Sequence, residues 1–210
     1  MKKYELTSET KVFLGKTLYR IKALVQFGNV NAGDLGGWIE KEENLSQYGN
    51  AWVYGNAWVY GNAEVYGNAV VDGNARVYGN AWVYGNAVVY GNAVVDGNAR
   101  VYGNAVVDGN AEVYGNAEVS GNARVSGNAE VCKIGTVFWI GAIGSRNGTT
   151  TFFRCKDGKI YVSCGCFLGD LEEFSDKVKQ THGDNEHGRV YMLAIEMAKA
   201  RIVEEKNEVH

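Results

Sequence analysis

The stretch YGNAWVYGNAWVYGNAEVYGNAVVDGNARV, Tyr48 to Val77, repeats one six-residue phrase, and its period decides the fold. Fourteen Gly-Asn-Ala triplets follow one another, with glycines from Gly49 to Gly127, and each is followed by a variable residue and then valine, from Val53 to Val131. Six residues fit neither the 3.6-residue helix nor a heptad, but three hexads make an 18-residue coil of a parallel β-helix. Within each hexad, period-2 alternation sends valine and the alanine two places earlier inward. Gly-Asn then occupies the corner, where a left-handed backbone is best tolerated by those two residue types.

The phrase Val-Tyr-Gly-Asn-Ala-Xaa resembles the hexapeptide-repeat, left-handed parallel β-helix family from Tyr48 to Val131. The left hand is implied by that resemblance alone. Between four and five coils, with strands ~4.8 Å apart, make a prism roughly 20–25 Å long. Its open ends need covering, because unpaired strand edges invite association. The expected fold is therefore mainly β: a small N-terminal β cap over 1–47, the β-helix over 48–131 and an α+β domain over 132–210.

An 18-residue coil allows the outward columns to be written down directly. Before each valine, the first face carries Trp52, Val70, Val88, Val106 and Arg124. The second carries Trp58, Arg76, Val94, Glu112 and Glu130, and the third Glu64, Trp82, Arg100 and Glu118. The first is persistently apolar, and Tyr54 and Tyr90 lie beside it after the valines. An exposed apolar stripe of this kind calls for a second subunit or the C-terminal segment to pack on it. Trp52, Tyr54, Val70, Val88, Tyr90 and Val106 are thus the candidate interface, and the hexapeptide-repeat resemblance implies a homotrimer. On the third face Tyr48, Tyr66, Tyr84 and Tyr102 form a candidate tyrosine ladder. Tyrosine and valine also suit a pleated surface without any ligand.

The flanks carry weaker signals. Lys11 to Ile21 reads as two strands around a turn at Gly15-Lys16, and Gly15-Lys16-Thr17 lacks the leading glycine and the following helix of a phosphate loop. Glu43 to Tyr48 reads as a degenerate hexad in phase with the rest. Downstream, Thr136 to Ile143, Thr149 to Arg154 and Lys159 to Ser163 suggest an antiparallel sheet with turns at Asn147-Gly148 and Asp157-Gly158. Asp170 with Glu173 can cap a helix through about Thr181, and a second runs from about Glu186 to Glu204. Val190, Leu193, Ile195, Met197 and Ile202 supply its apolar surface.

Together with the array, Gly33-Asp34-Leu35-Gly36-Gly37-Trp38-Ile39, Asn44-Leu45-Ser46, Gly158-Lys159, Gly165-Cys166-Phe167 and Thr181-His182-Gly183-Asp184 resemble uncharacterised proteins of bacteriophages and prophages. That resemblance implies a phage protein in a bacterial host cytoplasm and attaches no activity.

Composition excludes more than it selects. A net charge of −3 draws the chain to neither nucleic acid nor an anionic membrane, and 46% hydrophobic residues suffice for a core. No 18-residue apolar run can span a bilayer, and the N-terminus has no secretory core, so a cytosolic protein with reduced Cys132, Cys155, Cys164 and Cys166 is expected. Across Tyr48 to Val131, seven acids face three arginines, far too sparse for a mimic of DNA at one charge per ~1.7 Å. No basic groove accompanies the aromatics, so direct DNA binding is not expected.

Many hexapeptide-repeat proteins transfer acyl groups with a histidine base. Here His182, His187 and His210 all lie beyond the prism, and no clean hexad is interrupted by a loop. Cys155, Cys164 and Cys166 with His182 or His187 could supply zinc ligands, but no Cys-x2-Cys pair occurs, and thiols without metal are the expectation. The reading is therefore a non-enzymatic scaffold with no catalytic, cofactor or metal residues. It would oligomerise and engage a host protein or a signalling nucleotide. An acyltransferase and a virion or tail component are the alternatives.

Overall fold

A computed structural model describes residues 1–133, 135–155 and 157–202. Among these, fourteen two-residue strands run from β4 (Trp52–Val53) to β17 (Glu130–Val131), one every six residues. They stack in parallel at an offset of 18: Val88 pairs with Val70 on one side and Val106 on the other. The three columns expected from the sequence become three sheets of a β-solenoid of about five coils. Every alanine from Ala51 to Ala129 and every valine from Val53 to Val131 in the inward columns is fully buried. Small and branched side chains alternate because a coil this narrow admits nothing larger in both places.

The corners explain the rigid consensus. The triplet glycines adopt φ between 55° (Gly55) and 74° (Gly67), a region that costs a side-chain-bearing residue free energy. The next coil is also too close: a Cβ on Gly85 would lie 3.0 Å from the Gly103 nitrogen and 3.1 Å from its carbonyl oxygen. Each hexad then repeats the same inter-coil bonds, such as Asn86 N–H to the Gly103 carbonyl at 2.7 Å and Val88 N–H to the Ala105 carbonyl at 2.9 Å.

Asparagine does more than tolerate the corner. Its side-chain amide donates to the asparagine one coil on, so Asn50, Asn68, Asn86, Asn104 and Asn122 form a continuous ladder at 3.0–3.1 Å. Asn62 to Asn116 and Asn74 to Asn128 run along the other two edges. Neutral amides satisfy one another indefinitely along such a column.

The N-terminal segment closes the first open edge. Strands β1 (Tyr4–Phe13) and β2 (Lys16–Ala23) form the expected hairpin, turning through Leu14 and Gly15 at φ 48° and 76°. β2 pairs antiparallel with β3 (Leu35–Ile39), which lies parallel to β5 (Trp58–Val59). Side chains finish the edge. Lys3, 4% exposed, donates to the Ala51 carbonyl at 2.9 Å. Asn44 donates to the Ala63 and Gly61 carbonyls at 2.8 and 3.1 Å. Burial pulls the Lys3 ammonium down to about 8.

The coil begins earlier than the first clean hexad, and its first turn is longer. Trp38 pairs with Trp58 and Leu45 with Val65, both 20 residues apart, before the offset settles to 18 at Trp52 and Val70. Leu45, not Gln47, therefore takes the inward place, which corrects the in-phase reading of Glu43 to Tyr48. Gln47 instead accepts from Lys3 N–H at 2.8 Å and ties the hairpin down.

At the other end, β18 (Val137–Ile143), β19 (Gly148–Arg154), β20 (Ile160–Cys164) and β21 (Phe167–Asp170) form an antiparallel sheet, the last strand unforeseen. On β19 the pleat sends Phe153 into the solenoid core and Phe152 into a second core with Phe174 and Ile195. Helix α1 (Leu171–His182) starts at the expected Asp170 and Glu173 capping box. Helix α2 (Glu186–Arg201) docks through Tyr191, Ala194, Ile195 and Ala198, with Ile202 buried just beyond it. Leu193 and Met197, expected to dock, are 66% and 52% exposed, because they lie on the opposite side of the helix. The expected helix end at Glu204 lies outside the described residues. Among these residues no helix is long and apolar enough to cross a membrane.

Gly85→Ala should lower stability by about 1–3 kcal/mol in urea unfolding, whereas Val94→Thr, at a half-buried outward position, should cost under about 1 kcal/mol. Equal costs would contradict the corner constraint.

Candidate functional site

Apart from the asparagine ladders at the corners, the solenoid presents side chains from the outward columns, and these columns carry the varied surface chemistry of the prism. On the first face the structure shortens the expected stripe. Trp52 is 1% exposed, packed edge-on against Tyr4 and Phe27 with ring centroids 6.0 and 5.3 Å away. It is core rather than interface, because the N-terminal segment folds over the first coil. Tyr54 is likewise partly buried against the solenoid core. Val70, Val88 and Val106 remain half-buried in one parallel column.

A polar network ends that stripe. Asp108 is nearly buried and accepts from the Tyr90 hydroxyl at 2.6 Å and from the Arg124 guanidinium. Arg124 also donates to the Tyr90 oxygen at 2.9 Å, and its backbone N–H donates to Thr151 Oγ1 of β19 at 2.9 Å. The hydrogen bond to Asp108, followed by burial, raises the Tyr90 hydroxyl pKa. A buried carboxylate with two charge-assisted donors is well satisfied, and its place beside β19 joins prism to C-terminal module.

The third face holds the tyrosine ladder, one ring shorter than expected. Tyr66, Tyr84 and Tyr102 stack at 4.9 and 5.0 Å with planes within 6° of parallel. Tyr48 stands 85% exposed, because the two extra residues of the first turn lie between Leu45 and Gly49 and carry it out of register. Beside the ladder, Trp82 is 38% exposed, with the Arg100 guanidinium 5.0 Å from its ring centre. Arg100 also pairs with Glu118 at 3.8 Å. On the second face, where the 18-residue offset sets Tyr60, Tyr78, Asp96 and Tyr114 in one column, Tyr60 stacks on Tyr78 at 4.9 Å. Asp96 ends the run of rings in that column.

The chemistry-bearing residues of the C-terminal module lie apart from these faces. Cys155 is buried where it bridges to Ala129, and burial, with a smaller contribution from Asp157, pushes its thiol up to about 12. Cys164 accepts from Thr150 Oγ1 at 3.2 Å and lies 3.7 Å from the Tyr191 hydroxyl. Burial, then the bond to Cys164, pushes Tyr191 up to about 12. Cys166 is exposed in the β20–β21 turn. His182 packs against His187 and Tyr191 with centroids 5.8 and 5.7 Å away. His210 lies outside the described residues. Among the described residues no three His, Cys, Asp or Glu side chains gather to hold a metal ion.

Fold and faces together define a β-solenoid protein built of hexads, capped at one end by a hairpin and at the other by a sheet with two helices. Comparison with known proteins agrees at that level. A family model described as YdcK Beta solenoid repeat matches residues 81–97. The chain is also similar to a protein of Escherichia coli (strain K12) named Uncharacterized acetyltransferase YdcK, 38% identical over 61 residues. The match covers 25% of this chain and 19% of that relative, so it spans about one fifth of the relative's length.

Alkylation of the native protein followed by mass spectrometry should modify Cys166 first and Cys155 last, since the thiolate is the reactive form. Early loss of the Cys155 thiol would contradict its seat between solenoid and sheet.

Proposed function

We propose that the chain is a non-enzymatic scaffold that self-associates through its first face and presents the remaining surface to a binding partner. The observation that carries this reading is the column Val70, Val88 and Val106, half-exposed between two ends that the chain's own segments occupy. A row of valines on a flat, rigid sheet buries well against its own copy, and three such faces meeting about an axis make a closed trimer. The resemblance to phage and prophage proteins directs the search for a partner to bacterial cytoplasm, to a defence component or a signalling nucleotide.

Acyl transfer is the second reading, favoured by the name of the E. coli relative. Against it, the array from Tyr48 to Val131 contains no histidine to act as the base. Turnover of a thioester substrate distinguishes the two.

Light scattering on the intact chain should give an oligomer, and Val88→Lys should dissociate it. The substitution is mild for the fold, because Arg76, Arg100 and Arg124 occupy equivalent outward places. A monomer, or an oligomer indifferent to the substitution, would overturn the proposal.

A further inference from the structure

The solenoid's three tryptophans differ in what covers them. Trp52 lies under Tyr4 and Phe27. Trp58 takes Phe13 edge-on at 4.9 Å and the Arg76 guanidinium at 5.7 Å. Trp82 has a cation, Arg100, from the coil that follows, but no aromatic partner from the N-terminal cap. It opens instead into a groove of about 370 Å³, lined with it by Glu43, Ser46, Glu64, Val65 and Tyr66.

Two features of that groove come from the irregular first turn. The extra residues that carry Tyr48 outward leave Tyr66 as the last ring of its stack. The same turn brings Glu43 and Ser46 over the coil that bears Glu64, through the Leu45 and Val65 bridge. Neither Glu43 nor Glu64 forms an ion pair among the described residues, while Arg100 one coil below Trp82 is already paired with Glu118. The groove thus combines two aromatic side chains, a hydroxyl and two carboxylates, with no cation of the chain among its lining residues.

The geometry points to a binding site for a small organic cation, an alkylammonium or guanidinium group held against Trp82 and Tyr66 and neutralised by Glu43 and Glu64. Aromatic faces attract such cations through their quadrupole, Trp most strongly, and weakly hydrated cations sacrifice little solvation in reaching them. The lining carboxylates supply charge and acceptor oxygens. An anion or a neutral sugar gains nothing from this charge. The site depends on one chain only and is independent of the first-face association.

The test is a titration with choline and with arginine amide at moderate salt, followed by the indole resonance of Trp82 and by calorimetry. Binding in roughly the millimolar range is expected, with choline's uncharged carbon isostere at least about five-fold weaker. Trp82→Val places in the groove a residue that neighbouring hexads already carry, and Glu64→Gln removes one charge. Each should weaken binding about five- to thirty-fold, while Leu193→Ser on the far helix should leave it unchanged. Circular dichroism confirms that each variant keeps its sheet content. An arginine-containing peptide that binds ten-fold tighter than arginine amide, on about 1.4 kcal/mol of added contact, identifies the cation as a partner's side chain. A peptide that binds no tighter identifies a free solute. Absence of any response at Trp82, equal affinity for the uncharged isostere, or unchanged binding in Trp82→Val would overturn the assignment.

Discussion

Everything in this fold depends on the corner glycine. At each corner the chain turns at positive φ while the carbonyl of one coil accepts the asparagine N–H of the coil before, as Gly103 does from Asn86 at 2.7 Å. From Gly61 to Gly109 a Cβ there meets the backbone of the next coil, not a movable side chain, so along that run the constraint cannot be relieved by repacking. Once the corner is fixed, the interior of the hexad follows: the inward places shrink to alanine and valine, and asparagine finds its own kind a coil away. Only the two places flanking each valine are released to vary. The repetition is thus a consequence of geometry, and the variation at Trp, Val, Arg, Glu, Tyr and Asp carries whatever the surface recognises.

Ends are the other half of the problem. A stack of parallel strands leaves unpaired carbonyls at its top and an open core at its bottom. Here the top is met by a strand, β3, and by the side chains of Lys3 and Asn44, which donate where a preceding coil would have. The bottom is met by a pleated strand whose Phe153 enters the solenoid while Phe152 belongs to the helices. Capping by unrelated local solutions is why the solenoid can stop after about five coils without presenting a template for further strands.

These two parts were unequally legible in the sequence. The period alone gave the coil length, the inward columns and the membership of each face, because every hexad obeys one geometry. It failed wherever a tertiary contact overrode the pattern. Trp52 sits at an outward position yet is buried, since nothing in its hexad announces that Tyr4 and Phe27 will cover it. Tyr48 matches the consensus yet leaves the ladder, because the preceding turn holds two extra residues that only the Leu45 and Val65 pairing reveals. Leu193 and Met197 look like core in composition, but the helix's buried face runs through Tyr191, Ala194, Ile195 and Ala198. The asparagine ladders were readable in principle from the 18-residue offset. The groove beside Trp82 was not, because it arises where the irregular turn meets the regular stack.

If the coil is the unit, removing one should leave both caps seated on equivalent surfaces. Deleting the eighteen residues 67–84 joins Tyr66 to Gly85, restores the hexad phase and sets Tyr102 beneath Tyr66. Calorimetry of the shortened chain is the direct test. A single cooperative transition, with near-native sheet content and a smaller unfolding enthalpy, is the predicted result. A broad, non-cooperative melt would show that the hexads are not interchangeable and would contradict the account.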